Sequence, residues 1–206
     1  MSFLLASDIE VLITDEQLGQ ITENQKIIND CLAQSYEEIK EYIRHRFNVN
    51  FDMRGFTEIS DPLLVTASEN DRLNDTTNEK LYICLQDATD QPLTDTTYFK
   101  ETDDRNKKLV QVTTDVFLYH LHTRLNPRNI PQHRKIRYDG DGDIQNAMSA
   151  TKWLLMVQKG TITPDLTPIV DENGDQPETG QSILFGSSKT GFYAGNSTKS
   201  NNALNP

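Results

Sequence analysis

The chain has 206 residues and a net charge of −11 at pH 7. An acid excess of this size argues against a dedicated nucleic-acid-binding protein, which normally carries surplus basic residues. Hydrophobic residues make up 35% of the chain, so either the core is small or part of the chain lies outside it. The length suits one domain with appendages.

Cysteine usage and the absence of long apolar runs narrow the class of protein further. Cys31 and Cys84 lie in apolar stretches and form no CxxC motif, so they are interpreted as buried thiols in a reducing compartment. No apolar run reaches 18 residues, and no membrane contact is predicted. The first ten residues lack a basic segment and include Asp8, which indicates mature protein rather than a signal peptide.

Two helices are predicted near the start of the chain. Thr14 and Gln17 have the spacing of a capping box, which predicts a short helix through Ile21. Apolar residues then recur every three or four positions, which predicts a long helix over about 25–47.

The region 48–106 has no helical period. Leu81–Leu85 is typical of a strand, and Thr96–Lys100 is its predicted hairpin partner. The polar run Ser68–Lys80 is predicted to be a loop. Because a two-stranded ribbon is only marginally stable alone in water, we expect this one to pack on the helices or on a neighbouring subunit.

Helical patterns return after residue 106. A long helix over 109–125 is predicted to end at an Asn-Pro pair, and a shorter one over 131–138 begins with Pro in its first turn. Asp143 is the predicted N-cap of a last helix, which ends at Lys159 and Gly160.

The composition changes after Gly160. Thr161–Pro206 is rich in Asn, Ser, Thr, Gly, Asp and Pro, and it cannot bury enough apolar surface to offset its own ordering entropy. We therefore predict an extended C-terminal arm that is held by partners. Its two apolar groups are the predicted anchors. They are Ile183, Leu184 and Phe185, and Phe192 and Tyr193.

Together these patterns predict a mainly α fold. We expect a small helical bundle over 1–160 with an inserted β-ribbon region over 48–106. A long extended C-terminal arm over 161–206 completes the predicted organisation.

The sequence contains no arrangement typical of a catalytic site, and no cofactor or metal is predicted. His120 and His122 are two positions apart and face different directions on a helix, whereas a helical metal pair needs a spacing of three or four. The turn Asp139–Asp143 matches only the first half of a calcium-loop pattern, and 171–175 repeats this partial match. Both are interpreted as acidic turns, and whether Asp139–Asp143 binds a cation stays open.

The basic residues of the chain cluster over 124–137. One interpretation is a solvated face or internal pairing with the chain's own carboxylates, the second is docking on an acidic partner, and the third is contact with DNA. For docking, the candidates are Arg124, Arg134 and Arg137, because Arg suits bidentate contacts with carboxylates. These side chains are taken to be exposed, so charge reversal at Arg134 or Arg137 is expected to leave the monomer folded.

The second half of the chain carries a series of short motifs. They are Asp115-x3-Tyr119-x-Leu121-His122-x-Arg124, Pro127, Ile130-Pro131, Arg134, Arg137-Tyr138-Asp139, Lys152-Trp153-Leu154 and Lys159-Gly160. In this order they resemble the motifs of the Mu-like phage head–tail joining proteins, and the earlier segment Ala33–Phe47 resembles that family's long first helix. The chain departs from the family pattern in an insertion over 140–146, in the ribbon region and in the arm.

The resemblance implies a virion structural protein with no enzymatic activity. It would be a head–tail connector made in the host cytoplasm, which forms a ring, twelve-fold like the portal, in the neck of a tailed phage. Its implied partners are the portal protein and the next neck or tail protein, and DNA would pass through its bore without specific binding. The alternative hypothesis is a small helical protein that binds nucleic acid through 124–137, or metal through His120, His122 and His133.

Overall fold

The computed structural model describes residues 2–140 and 148–170 of the protein. The helices are α1 (Ala6–Glu10), α2 (Asp15–Ile21), α3 (Gln25–Ile43), α4 (Val49–Asp52), α5 (Lys107–Leu125), α6 (Gln132–Asp139) and α7 (Ala150–Gln158). The strands are β1 (Phe56–Ile59), β2 (Val65–Ala67), β3 (Arg72–Asp75), β4 (Lys80–Cys84), β5 (Ala88–Gln91) and β6 (Phe99–Glu101).

The prediction of a mainly α bundle with a single ribbon is wrong, because the chain between α4 and α5 forms two sheets. One sheet has four strands in the order β1-β3-β4-β6, and the other pairs β2 with β5. Strand β1 runs parallel to β3, whereas the other pairings of the larger sheet are antiparallel. The fold is therefore mixed α/β, and the predicted loop Ser68–Lys80 contains β3.

The predicted ribbon exists as one pair within the larger sheet. Tyr82 lies opposite Glu101, and Cys84 lies opposite Phe99. The second strand therefore begins three residues later than the predicted Thr96. Four strands with a buried face are stable where two would not be, and Leu73 of the central strand β3 is 1% exposed.

The helix ends follow local capping. The capping box of α2 is confirmed, since Thr14 and Gln17 exchange backbone-to-side-chain hydrogen bonds of 3.2 and 3.3 Å. The predicted N-cap of the last helix is wrong, because Ser149 caps α7 through a hydrogen bond to the Lys152 amide. Gly160 has φ +75°, the left-handed conformation that commonly ends a helix.

The main core forms where α3, α5 and α7 pack together. Ile39, Val116 and Leu154 contribute one fully buried side chain from each helix. The sheets have a core of their own, which includes Cys84, and Cys31 lies in a third cluster. Both cysteines are thus buried thiols, as predicted. Over 2–140 and 148–170, no helix combines the length and apolarity needed to cross a bilayer.

Two buried arginines connect the sheet to the helices. The Arg105 side chain, 2% exposed between β6 and α5, pairs with Asp8 and Asp103. On β3, the Arg72 side chain is 3% exposed and pairs with Asp104 at 2.6 Å. A buried charge is tolerated only when it is paired and hydrogen-bonded, so these contacts hold the sheet in a defined place against the helices.

Candidate functional site

Arg137 lies on α6 and pairs with Asp115 of α5. Its Nε is 2.6 Å from Oδ1 of Asp115, and its Nη2 is 3.3 Å from Oδ2, so the contact is bidentate. Asp115 is 7% exposed. Burial raises the pKa of Asp115, and the Arg137 guanidinium opposes that rise only in part. The pair fixes α6 on α5, which is the internal pairing that the sequence left open.

Arg134 is 7% exposed, the least of the three candidate docking arginines. Its Nη2 donates to the Leu12 carbonyl at 3.1 Å, so it contacts the turn between α1 and α2. Its Nε is buried and has no hydrogen-bond partner within the described residues. Burial, followed by the charge of Arg137, lowers the pKa of Arg134. These positions overturn the assumption that Arg134 and Arg137 are free surface charges.

Arg124 is the most exposed of the three arginines. Its Nη2 lies 3.0 Å from Oδ2 of Asp30 on α3, and both side chains are about half exposed, at 45% and 43%. Exposed pairs of this kind contribute little to stability, so Arg124 remains available to a partner. Arg128 and Lys135 are also exposed, and neither forms an ion pair with a described residue.

A second contact joins three helices through the carboxylate of Glu38, the ring of His120 and the ring of Tyr138. Glu38 of α3 accepts a hydrogen bond from the Tyr138 hydroxyl on α6 at 2.7 Å, and its second oxygen is 2.5 Å from His120 Nε2 on α5. Burial raises the pKa of Glu38, but the hydrogen bonds from His120 and Tyr138 outweigh it and lower that pKa. Burial and the nearby Glu38 raise the pKa of Tyr138.

The Tyr138 ring also stacks on Tyr119, with centroids 3.9 Å apart and planes within 3°. In the sequence, both tyrosines stand out only as motif residues, and Glu38 does not stand out as a functional residue. Glu38 lies among charged residues on the polar side of a predicted helix, so nothing in the local pattern separates it from its solvated neighbours. Glu38 could have been recognised only by combining its position on α3 with the two hydrogen-bond donors on other helices, His120 and Tyr138.

The alternative hypothesis of a metal site gains no support. Over 2–140 and 148–170, no group of three or more His, Cys, Asp or Glu side chains is arranged to hold a metal. His120 directs its Nε2 to Glu38. Burial, then the charges of Arg134 and His133, lowers the pKa of His122. Both acidic turns extend outside the described residues: the first at 141–143 and the second entirely.

The base of the C-terminal arm is attached to α4 and to the turn that follows α3. Both carboxylate oxygens of Asp52 accept from the Thr167 amide, at 3.1 and 3.0 Å, and Oδ1 also accepts from the Thr167 hydroxyl at 3.0 Å. Burial raises the pKa of Asp52, against the effect of these bonds. The Ile169 amide donates to the Arg46 carbonyl at 2.9 Å. The arm therefore leaves the described structure at Val170, beside the end of α3.

The predicted arm anchors lie outside the described residues. They are Ile183, Leu184, Phe185, Phe192 and Tyr193. The described residues end at Val170, from which the segment that carries these anchors continues.

The chain matches no protein-family model, no curated protein and no solved structure. Its resemblance to the phage joining proteins therefore depends on its own motif residues and on where these lie in the fold.

Proposed function

We propose that the chain is a head–tail connector of a tailed phage, a structural protein that forms a ring between portal and tail. The observation that carries this proposal is that residues of separate motifs meet in space. These residues form contacts between helices. Such contacts are expected if the motifs serve to hold together a helical fold of the kind that the phage joining proteins have. A catalytic role would instead need reactive groups that converge on an open cleft.

The contacts between α5 and α6 use the motif residues directly. Asp115 pairs with Arg137, and Tyr119 stacks on Tyr138. Trp153 of the last motif is 4% exposed in the core that α7 shares with α3 and α5. The motif residues of α5, α6 and α7 thus lie in contacts between helices.

The motif that begins on α3 contacts α7 through Arg46, which lies just beyond the end of α3. Arg46 Nη1 lies 2.5 Å from the Val157 carbonyl at the end of α7, and the Arg46 guanidinium lies over the Phe47 ring at 5.2 Å. If the similarity of these short motifs were due to chance, there would be no reason for the motif residues of four helices to contact one another. This agreement favours the connector over the alternative hypothesis.

The net charge of the chain and the length of its C-terminal arm fit a ring through which DNA passes. A subunit at −11, repeated around a ring, makes a strongly negative annulus to which phosphate does not adhere. The residues beyond Val170 can extend over roughly 120 Å. An arm of that length, attached at its base, reaches a neighbouring subunit or the portal.

The test is assembly on the cognate portal. Purified protein, alone and mixed with portal rings, is followed by light scattering and electron microscopy. We expect a ring of added density with about twelve copies per portal. A small, defined oligomer that ignores the portal would contradict the proposal.

A further inference from the structure

An open groove lies between α3 and strand β1. Its volume is about 720 Å³, within the range of binding clefts. One wall is a helix face and the other is the edge of the four-stranded sheet. The lining residues are Ser2, Asn29, Leu32, Ala33, Tyr36, Phe56, Thr57 and Glu58.

The sheet edge offers backbone groups at Glu58. On the β3 side, the Ile59 carbonyl accepts from the Thr76 amide at 3.2 Å. On the groove side, the Phe56 amide donates to the Ser2 carbonyl at 3.1 Å. Because alternate residues of a strand direct their amide and carbonyl to the same side, those of Glu58 point away from β3. Within the described residues, no backbone group bonds Glu58 from that side.

The helix wall is apolar apart from Asn29, and its Tyr36 is held in place by hydrogen bonds. Leu32 and Tyr36 are half-buried, and the small side chain of Ala33 between them is exposed. The Tyr36 hydroxyl accepts from the Leu4 amide at 3.1 Å and bonds the Ser2 hydroxyl at 2.9 Å. Such a strand edge facing an apolar helix is the geometry that binds an extended peptide by strand addition.

We propose that this groove receives residues 182–186 of the C-terminal arm from a neighbouring copy. The apolar side chains of Ile183–Phe185 pack against Leu32 and Tyr36, and their backbone adds to the strand edge at Glu58. This inference rests on the proposed function, because the neighbour is the adjacent subunit of the ring.

The chemistry of the arm fits the groove. The segment Ser182–Gly186 carries no charge and holds β-branched and aromatic residues suited to a strand. The next charged residue is Lys189, which is opposite in sign to Glu58, the one charged side chain among the described residues that line the groove. From Val170, about thirteen residues lead to Ile183 and span up to roughly 43 Å. That exceeds the ~28 Å length of α3, so the segment can reach past its own subunit.

A photo-crosslinker identifies the occupant. Benzoylphenylalanine replaces Ala33 in unlabelled protein, which is mixed with ¹⁵N-labelled protein and assembled on the portal. We expect crosslinks to the peptide that holds Ile183–Phe185, including crosslinks between unlabelled and labelled chains. Crosslinks within one chain only, crosslinks to the portal or no crosslink to the arm would each overturn the inference. The mass of the same assemblies measures portal binding separately. Assembly without the arm crosslink would overturn only the binding of the arm in the groove. The absence of assembly would overturn both this inference and the proposed function.

Paired substitutions give an independent measure. Ala33→Trp fills the groove and Leu184→Asp removes the anchor, and each should weaken assembly roughly tenfold. The matched controls are Gln34→Trp, exposed on the same helix outside the groove, and Ser197→Asp in the arm; neither should change assembly. Because the two disruptive changes remove one contact, the double variant should be no weaker than either single one. Additive losses would overturn the pairing of arm and groove.

Discussion

Arg105 and Asp8, 97 positions apart in the chain, form a bidentate ion pair with distances of 2.6 and 3.2 Å. The same guanidinium donates to the Phe3 carbonyl at 2.8 Å and to Asp103. A single side chain thereby ties the N-terminal segment and α1 to the junction where the sheet leads into α5.

Arg105→Met should lower the free energy of unfolding by about 3 kcal/mol, because it leaves the largely buried carboxylate of Asp8 without its cation and removes the buried partner of Asp103. Urea denaturation followed by circular dichroism measures the change. The control is Lys107→Met, which removes a 75% exposed partner of the same Asp103 and should cost less than about 1 kcal/mol. Equal losses in the two variants would contradict this account of the network.

Arg137→Glu should destabilise the fold by about 3 kcal/mol, because it places a like charge against the buried Asp115. This reverses the expectation from sequence, in which the side chain was treated as exposed. Arg124→Glu, at the half-exposed pair with Asp30, serves as the control and should change stability by less than about 1 kcal/mol. Thermal melts compare the two variants, and an Arg137→Glu protein as stable as wild type would refute the structural role.

Stability should fall in acid because of Asp103. Burial raises the pKa of this carboxyl, but hydrogen bonds from Arg105 and Lys107 outweigh it and leave the folded-state pKa well below the usual value. A depressed pKa contributes stability above the unfolded pKa of about 3.9, and this contribution is lost as pH falls through the folded value.

The free energy of unfolding should therefore decline from about pH 5 downward, and less steeply in Asp103→Asn. Glu10→Gln, an exposed carboxyl at the end of α1, is the control and should keep the wild-type slope. An unchanged slope in Asp103→Asn would show that other groups control the acid response.

Arg124→Glu combined with Arg128→Glu should leave the fold intact and slow association with the portal. Charges at the rim of an interface act mainly on the association rate and its dependence on salt. Lys26→Glu with Lys100→Glu makes the same change in net charge at exposed sites elsewhere, and it should bind as wild type. Surface plasmon resonance over a range of salt concentrations separates these cases, and identical rates for the two doubles would rule out a local docking role.

The assembled ring should not bind duplex DNA tightly. A repeated subunit charge of −11 repels phosphate. Filter binding at low and high salt tests this. Tight binding that weakens steeply with salt would indicate phosphate contacts and favour the nucleic-acid alternative.

Sequence periodicity predicted the long helices well but missed the short helices α1 and α4, and it predicted the sheets poorly, for a physical reason. Helical contacts are local, so the apolar spacing of α3 and α5 appears directly in the chain. The strands are three to five residues long, and β1 pairs with β3 across an intervening strand that belongs to another sheet. Nothing in so short a segment specifies a partner that distant.

The sequence pattern also did not show which arginines form internal ion pairs, although one observation could have indicated it. Asp115 lies between the buried residues Thr114 and Val116 on a helix with ten buried positions. A carboxylate in such a place requires an internal cation. That requirement predicts that one arginine of the basic cluster, Arg137, pairs with Asp115, whereas the cluster considered by itself suggests a surface of free charges.

The bonds between Asp52 and Thr167 make the arm a tether with a fixed origin. For a tethered segment, the effective concentration at a nearby receptor depends on the length of the linker and not on any contact the linker makes. Doubling the roughly thirteen residues between Val170 and Ile183 would dilute the segment about threefold, with every contact unchanged. We therefore expect the attachment at Asp52, which fixes where the linker begins, to influence how strongly the arm binds its receptor.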